Sequence, residues 1–204
     1  MNNRLYRNCL LLLLTVLLAG LTERMQAQTR NRQSVHTNSY DVPPAVPEML
    51  VFAGDTIRFD RADLRERMDR ELIAFSYMHT NSHLVIKRAN RLFPVIEPIL
   101  KEYGIPDDLK YLMVIESNLD PKSLSSAGAA GLWQFVQSTG REYGLEVNAN
   151  IDERYNTKKA TVAACKYLAE AYQKYGNWMT VAASYNGGQN GISRRLEEQH
   201  QTNA

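Results

Sequence analysis

At 204 residues the chain has room for one domain of ordinary size and a short appendage. Its formal charge of +2 lies in the first 27 residues, where Arg4, Arg7 and Arg24 stand against Glu23; without them the chain is neutral. A neutral domain has no global field for attracting nucleic acid or an anionic membrane, although a local basic patch stays open. Of two cysteines, Cys9 falls within that first stretch, so the remainder keeps only Cys165 and no intramolecular disulfide. The fold must be held by its apolar core.

Residues 1–27 read as a secretory signal peptide. Arg4 and Arg7 precede the apolar run Cys9 to Leu21, and Met25-Gln26-Ala27 offers a cleavage site, with Met25 larger than the usual small residue. The rival is a retained anchor, but the run is short for a bilayer span and polar sequence follows it. Cys9 sits inside the run rather than at its exit, so the chain does not read as a lipoprotein. The expected product is exported, periplasmic or envelope-associated, and has no stable membrane insertion after signal cleavage. From Gln28 to Phe59 the sequence is rich in Asn, Ser, Thr and Arg, then carries Pro43, Pro44 and Pro47, and reads as a linker or extended arm.

From Asp60 to the end of the chain, residues 60–204, the pattern is helical and the fold class is all-α. Leu64, Met68, Leu72 and Phe75 mark one helix. Leu84 to Leu92 begins another, kinked or restarted at Pro94 as Phe93, Ile96 and Leu100 continue its apolar face. Gly104 and Pro106 punctuate the chain before a helix over Asp107–Asn118, with two acids in its first turn where the helix dipole favours them. Further helical pieces run over Gly131–Tyr143, Thr157–Tyr175 and Asn177–Ser184. Cys165 shares a face with Leu168, Tyr172 and Tyr175, the place of a buried structural thiol rather than a reactive one.

Within the Asp107–Asn118 helix, Leu109, Leu112, Met113 and Glu116 share one face, so a carboxylate stands where an apolar side chain is expected. Burial raises a carboxyl pKa and favours its neutral form, which suits a general acid near neutral pH. The bland reading is a glutamate fraying into solvent at a helix end. After it, Asp120-Pro121 ends the helix, and the small residues Ser125 to Gly131 permit close backbone approach to a ligand or serve tight helix packing. Ala182-Ala183-Ser184-Tyr185-Asn186-Gly187-Gly188 places an aromatic ring and an amide at a helix terminus, either as caps or as partners of a polar ligand. No Gly-rich phosphate loop, CxxC or HExxH is present. His36, His79, His83 and His200 are scattered, so neither a metal nor a cofactor is expected.

Together these residues resemble the catalytic domain of lytic transglycosylases, the soluble-lytic-transglycosylase type of the lysozyme-like superfamily, and look closest to its membrane-bound lytic murein transglycosylase D branch. The resemblance covers roughly Arg91 to Ile192. It rests on Glu116-Ser117, on the glycine- and alanine-rich Gly128 to Gln134, and on Ser184-Tyr185-Asn186-Gly187. It implies a lysozyme-like helical domain acting on peptidoglycan glycan strands, with Glu116 catalytic and Ser117, Ser125, Gln134, Tyr185 and Asn186 on the saccharide groove; Ser117 alternatively orients the helix end. Two departures stand out. Ser184 takes the place of a frequent alanine, and the sequence runs only 18 residues past Asn186, which reads as a domain shortened at its C-terminus, without a cell-wall-binding repeat.

Most glycosidases use two carboxylates. Between Ser117 and Gln134 the sequence has one acid, Asp120, beside a proline turn that it is expected to order rather than to leave for attack on a sugar. The resemblance therefore implies a single general acid/base that cleaves the MurNAc-β-1,4-GlcNAc bond without water and leaves 1,6-anhydroMurNAc ends. Two rivals remain: a hydrolytic muramidase of the goose-type lysozyme kind, recruiting Glu142, Glu146, Asp152 or Glu153, and a catalytically impaired peptidoglycan-binding protein.

Overall fold

The computed structural model describes residues 43–187 and 189–198; residues 1–27, read as a signal, and the start of the arm lie outside the described residues. The chain opens with a hairpin, β1 (Met49–Phe52) and β2 (Asp55–Arg58), paired antiparallel with Phe52 opposite Asp55. The connecting residues Ala53 and Gly54 both take positive φ, 50° and 92°, the two-residue turn whose twist suits a tight hairpin. Leu50 and Phe52 point inward and Met49 and Val51 outward. The arm expected over 28–59 therefore needs correction at its end: four-residue strands are too short for a period to stand out, and Ala-Gly is a weak turn signal. Phe52 and Phe59 are both buried, and each contributes about 2–3 kcal/mol by leaving water.

The rest is helical, as the all-α reading expects. Helix α1 (Ala62–Tyr77) buries Met68 and Leu72, and only Met78 separates it from α2 (His79–Glu102). The Met78 N–H reaches back to the Ala74 and Phe75 carbonyls, and Ser82 Oγ donates to Phe75 O at 2.8 Å, closing the corner. Helix α2 continues through Pro94 and Pro98 without restarting. Both prolines are exposed, and so are Asn90 and Pro94, whose carbonyls lose their helical donors and face water instead.

A five-residue 3-10 turn, Asp107–Tyr111, leads into α3 (Leu112–Ser117), so the expected single helix is split, with Leu109, Leu112 and Met113 still on the buried face. The expected helix from Gly131 shrinks to α4 (Gln137–Glu142). Its first residues form instead a compact loop with isolated bridges from Ala130 to Leu124 and to Phe135. Helix α5 (Thr157–Tyr175) starts on Asn156, whose side chain accepts from Lys159 N, and ends at Gly176 with φ 66°. Buried Ala160, Ala163, Ala164 and Ala171 let it pack closely, and α2 lies against it. Cys165 is fully buried and its thiol is pushed up to about 12, which marks it as structural. Tyr172 departs from the expected buried face: it is 38% exposed and stacks on Trp178 with ring centres 4.1 Å apart. Helices α6 (Trp178–Gly187) and α7 (Gln189–Glu198) complete the described chain, α6 packing on α5 and α7 on α6.

Candidate active site

Glu116 occupies the last turn of α3, behind the buried side chains of Leu112 and Met113. Immediately after it, Asn118 and Leu119 adopt left-handed φ of 50° and 55°, a conformation costing about 1–2 kcal/mol for an L side chain. Full burial of Leu119 offsets that cost, and Arg88 spans the turn, donating to Asn118 O at 3.0 Å and to Asp120 Oδ2 at 2.9 Å. Asp120 also accepts from Lys122 N at 2.9 Å. It orders the proline turn, as the sequence suggests.

The Glu116 carboxyl is half-buried and pushed up to about 7 by loss of water, partly countered by Asn186, whose Nδ2 donates to Glu116 Oε1 at 3.2 Å. The acid and the amide are 70 residues apart in sequence, and α3 and α6 bring them together. Tyr185, the neighbour of Asn186, donates its hydroxyl to Trp133 O at 2.8 Å. Burial, then the Glu116 charge, raise its own ionisation well above the ordinary range, so it stays a neutral phenol. Its ring meets Tyr167 edge-on at 5.2 Å and lies 6.4 Å from Phe135. Ser184 is fully buried with Oγ donating to Val181 O at 2.8 Å, so a hydroxyl satisfied on its own helix fills the place of an alanine.

The Ser123–Val136 loop supplies the remaining candidates. Ser125 closes its tip: Ser125 N donates to Ala129 O at 2.9 Å and Ser125 Oγ accepts from Ala129 N at 3.0 Å. Gln134 takes φ 51°, and its Nε2 donates to Gly131 O at 2.8 Å and to Ser123 O at 3.3 Å. These bonds fix the amide's orientation with Oε1 as its acceptor face. Ser117, expected on the groove, is only 7% exposed, and its Oγ lies 2.9 Å from both Met113 O and Leu132 O. The hydroxyl braces the end of α3 against the loop, the alternative role the sequence leaves open, because two backbone carbonyls claim it. Trp133 anchors the loop from below, with Nε1 donating to Thr161 Oγ1 of α5 at 3.0 Å.

One further side chain holds this loop, and the sequence reading missed it. Arg154 is 3% exposed; its Nη1 donates to Gly128 O at 2.7 Å and to Phe135 O at 2.9 Å, while Nε and Nη2 grip Asp152 at 2.9 and 2.7 Å. No local pattern marks Arg154, since the two carbonyls lie 26 and 19 residues away. Three of the four acids considered as a second carboxylate are engaged elsewhere. The Arg154 guanidinium holds Asp152 below its ordinary value, and Lys159 does the same for Glu153, which also accepts from Glu146 N. Glu146 accepts from Asn148, and Glu142 is exposed at the end of α4. Among the described residues no three His, Cys, Asp or Glu side chains group as metal ligands.

The sequence that builds this half-buried acid, its amide partner and the arginine-held loop has relatives. The chain is 30% identical over 154 residues to the membrane-bound lytic murein transglycosylase D of Escherichia coli K12, covering 74% of this chain and 33% of that protein. It is 29% identical over 124 residues to the membrane-bound lytic murein transglycosylases C of Photorhabdus laumondii and Pectobacterium atrosepticum, covering 53% of this chain and 34% of each. The chain thus spans about a third of the length of these curated relatives. The model of the Transglycosylase SLT domain matches residues 94–204, a stretch that contains Glu116, the Gln134 loop and Asn186. With more than half of its length matched and its acid, loop and helix end all inside the match, the chain belongs to the SLT transglycosylase family.

Proposed function

We propose that this protein is a peptidoglycan lytic transglycosylase in which Glu116 is the single general acid and base. The observation that carries the proposal is a carboxyl pushed up to about 7 by burial, with an amide donor on one oxygen, while the other candidate carboxylates are held by cations or backbone or lie exposed. At neutral pH a large fraction of such a group holds its proton, and it returns readily to the base form.

Protonated Glu116 donates to the glycosidic oxygen between N-acetylmuramic acid and N-acetylglucosamine, and the bond to the muramic C1 breaks. The substrate's acetamido group stabilises the positive centre that develops there. Glu116, now a carboxylate, takes the proton from the 6-hydroxyl as that oxygen bonds to C1, closing a 1,6-anhydro ring. Protons balance and no water is consumed. Asn186 steadies the Glu116 carboxylate, Gln134 and Ser125 receive the sugar's polar groups, and Tyr185 shapes the site as a neutral ring whose hydroxyl is held by Trp133 O. Ser117 serves the fold of the site rather than the sugar.

Residues 1–27 and the membrane-bound relatives support placement in the cell envelope, and no described helix is long and apolar enough to cross a membrane. Digestion of purified peptidoglycan, with mass spectrometry of the released sugar termini, tests the reaction. Anhydro ends are expected. Reducing ends would replace this reading with a hydrolytic muramidase, and binding without any cleavage would leave a wall-binding protein.

A further inference from the structure

Arg154 and Asp152 lie outside the three stretches that carry the family resemblance, yet Arg154, held by Asp152, grips the Gln134 loop at both ends. Gly128 O and Phe135 O, which receive Arg154 Nη1, bracket the loop, and Phe135 O also accepts from Ala130 N at 3.0 Å. The Arg154 backbone also lies against the loop: a Cβ at Gly131 would lie 2.0 Å from Arg154 O. Its side-chain stem rests against Gly140 of α4, where an added Cβ would lie 3.3 Å away. A cation this buried needs its carboxylate, and Asp152 supplies both oxygens in the forked geometry that only arginine matches.

We propose that Asp152 and Arg154 form a positioning pair that sets the loop from Gly128 to Phe135, and through it the Gln134 amide and the Trp133 carbonyl that holds Tyr185. The pair touches no reacting atom. It acts by fixing where two groups of the site stand relative to Glu116, and a misplacement of about 1 Å in such groups costs about 100-fold in rate. The proposal rests on the transglycosylase reading for its kinetic consequences and on the loop's hydrogen bonds for its structural ones.

The test uses Arg154→Lys and Asp152→Asn in the full chain. Lysine keeps the charge and loses the fork; asparagine keeps the shape and loses the charge, and it serves where the lysine variant does not fold. At a temperature where helical circular dichroism matches the wild type, turnover of peptidoglycan should fall about 100-fold with little change in KM. The pH limb set by Glu116 should stay in place, because Arg154 takes no part in raising that carboxyl. Amide hydrogen exchange needs no substrate: Ala130 and Gly131 should exchange about tenfold faster in Asp152→Asn, while Leu168 in α5 keeps its protection. Turnover within about twofold of wild type in a folded variant, or unchanged protection at Ala130 and Gly131, overturns the proposal. Absence of cleavage by the wild type would instead overturn the functional reading, and the amides would still decide the pair.

Discussion

Replacing Glu116 with glutamine should disable cleavage and make the protein more stable in alkali, and the size of the gain follows from the site. In the folded chain the carboxyl is pushed from an ordinary 4.5 to about 7, mainly by loss of water. Its folded pKa thus exceeds its unfolded one, so between those values the native state binds the extra proton and stability falls as pH rises. At about 1.4 kcal/mol per pH unit the interval is worth about 3 kcal/mol, most of it spent between pH 5 and pH 8.5. Glutamine cannot ionise, and its Oε1 still accepts from Asn186. Urea or thermal unfolding of wild type and Glu116→Gln at both pH values isolates the effect, since other titrations cancel in the difference. The variant's advantage should grow by about 2–3 kcal/mol from pH 5 to pH 8.5, or roughly 5–10 °C in Tm for a domain of this size. An advantage that does not change with pH would refute the desolvated acid, and so would a loss of stability at pH 8.5.

Asn186→Ala removes the donor that lowers the Glu116 pKa, so the alkaline limb of the pH–rate profile should move upward by less than about one unit, with turnover reduced; a downward shift would contradict the contact. Gly131→Ala forces a Cβ to 2.0 Å from Arg154 O at φ 75°, and urea denaturation should record a loss of more than about 2 kcal/mol. Phe52→Ala empties a position that is 1% exposed, at a cost of about 3–5 kcal/mol by the same measurement. Tyr185→Phe strands the Trp133 carbonyl and should cost about 1–3 kcal/mol, with turnover falling beyond what the unfolded fraction explains.

The long helices were legible because their signals are local. Thr157–Tyr175 has a capping asparagine before it and a glycine after it, and its apolar period runs unbroken between them. Glu116 stood out for a similar reason, as a charge on a face that Leu109, Leu112 and Met113 commit to the core. The loop from Gly131 reads as helix in the sequence because its shape depends on partners far away along the chain: Arg154 on its carbonyls, Thr161 under Trp133, Tyr185 on Trp133 O. Ser117 illustrates the same limit at one residue. Adjacent to Glu116 it resembles a ligand contact, and only the fold reveals the Leu132 carbonyl 15 residues on that its hydroxyl meets.

The hairpin at Ala53-Gly54 bears on how small a working fragment can be. Ala53 N donates to Asp108 Oδ2 at 2.7 Å, at the start of the turn that leads to Glu116. Asp55 Oδ2 accepts at 3.0 Å from Asn177, whose own Oδ1 receives Thr180 N at the start of the helix that carries Asn186. The segments leading to both halves of the acid–amide pair are thus bonded to one hairpin end, Ala53 to Asp55, some forty residues before the stretch that the family model matches. A fragment cut at Pro94 would retain Glu116, Gln134 and Asn186 and lose the mooring that spaces two of them. A boundary drawn from motif similarity alone would separate these two contacts from the site they brace.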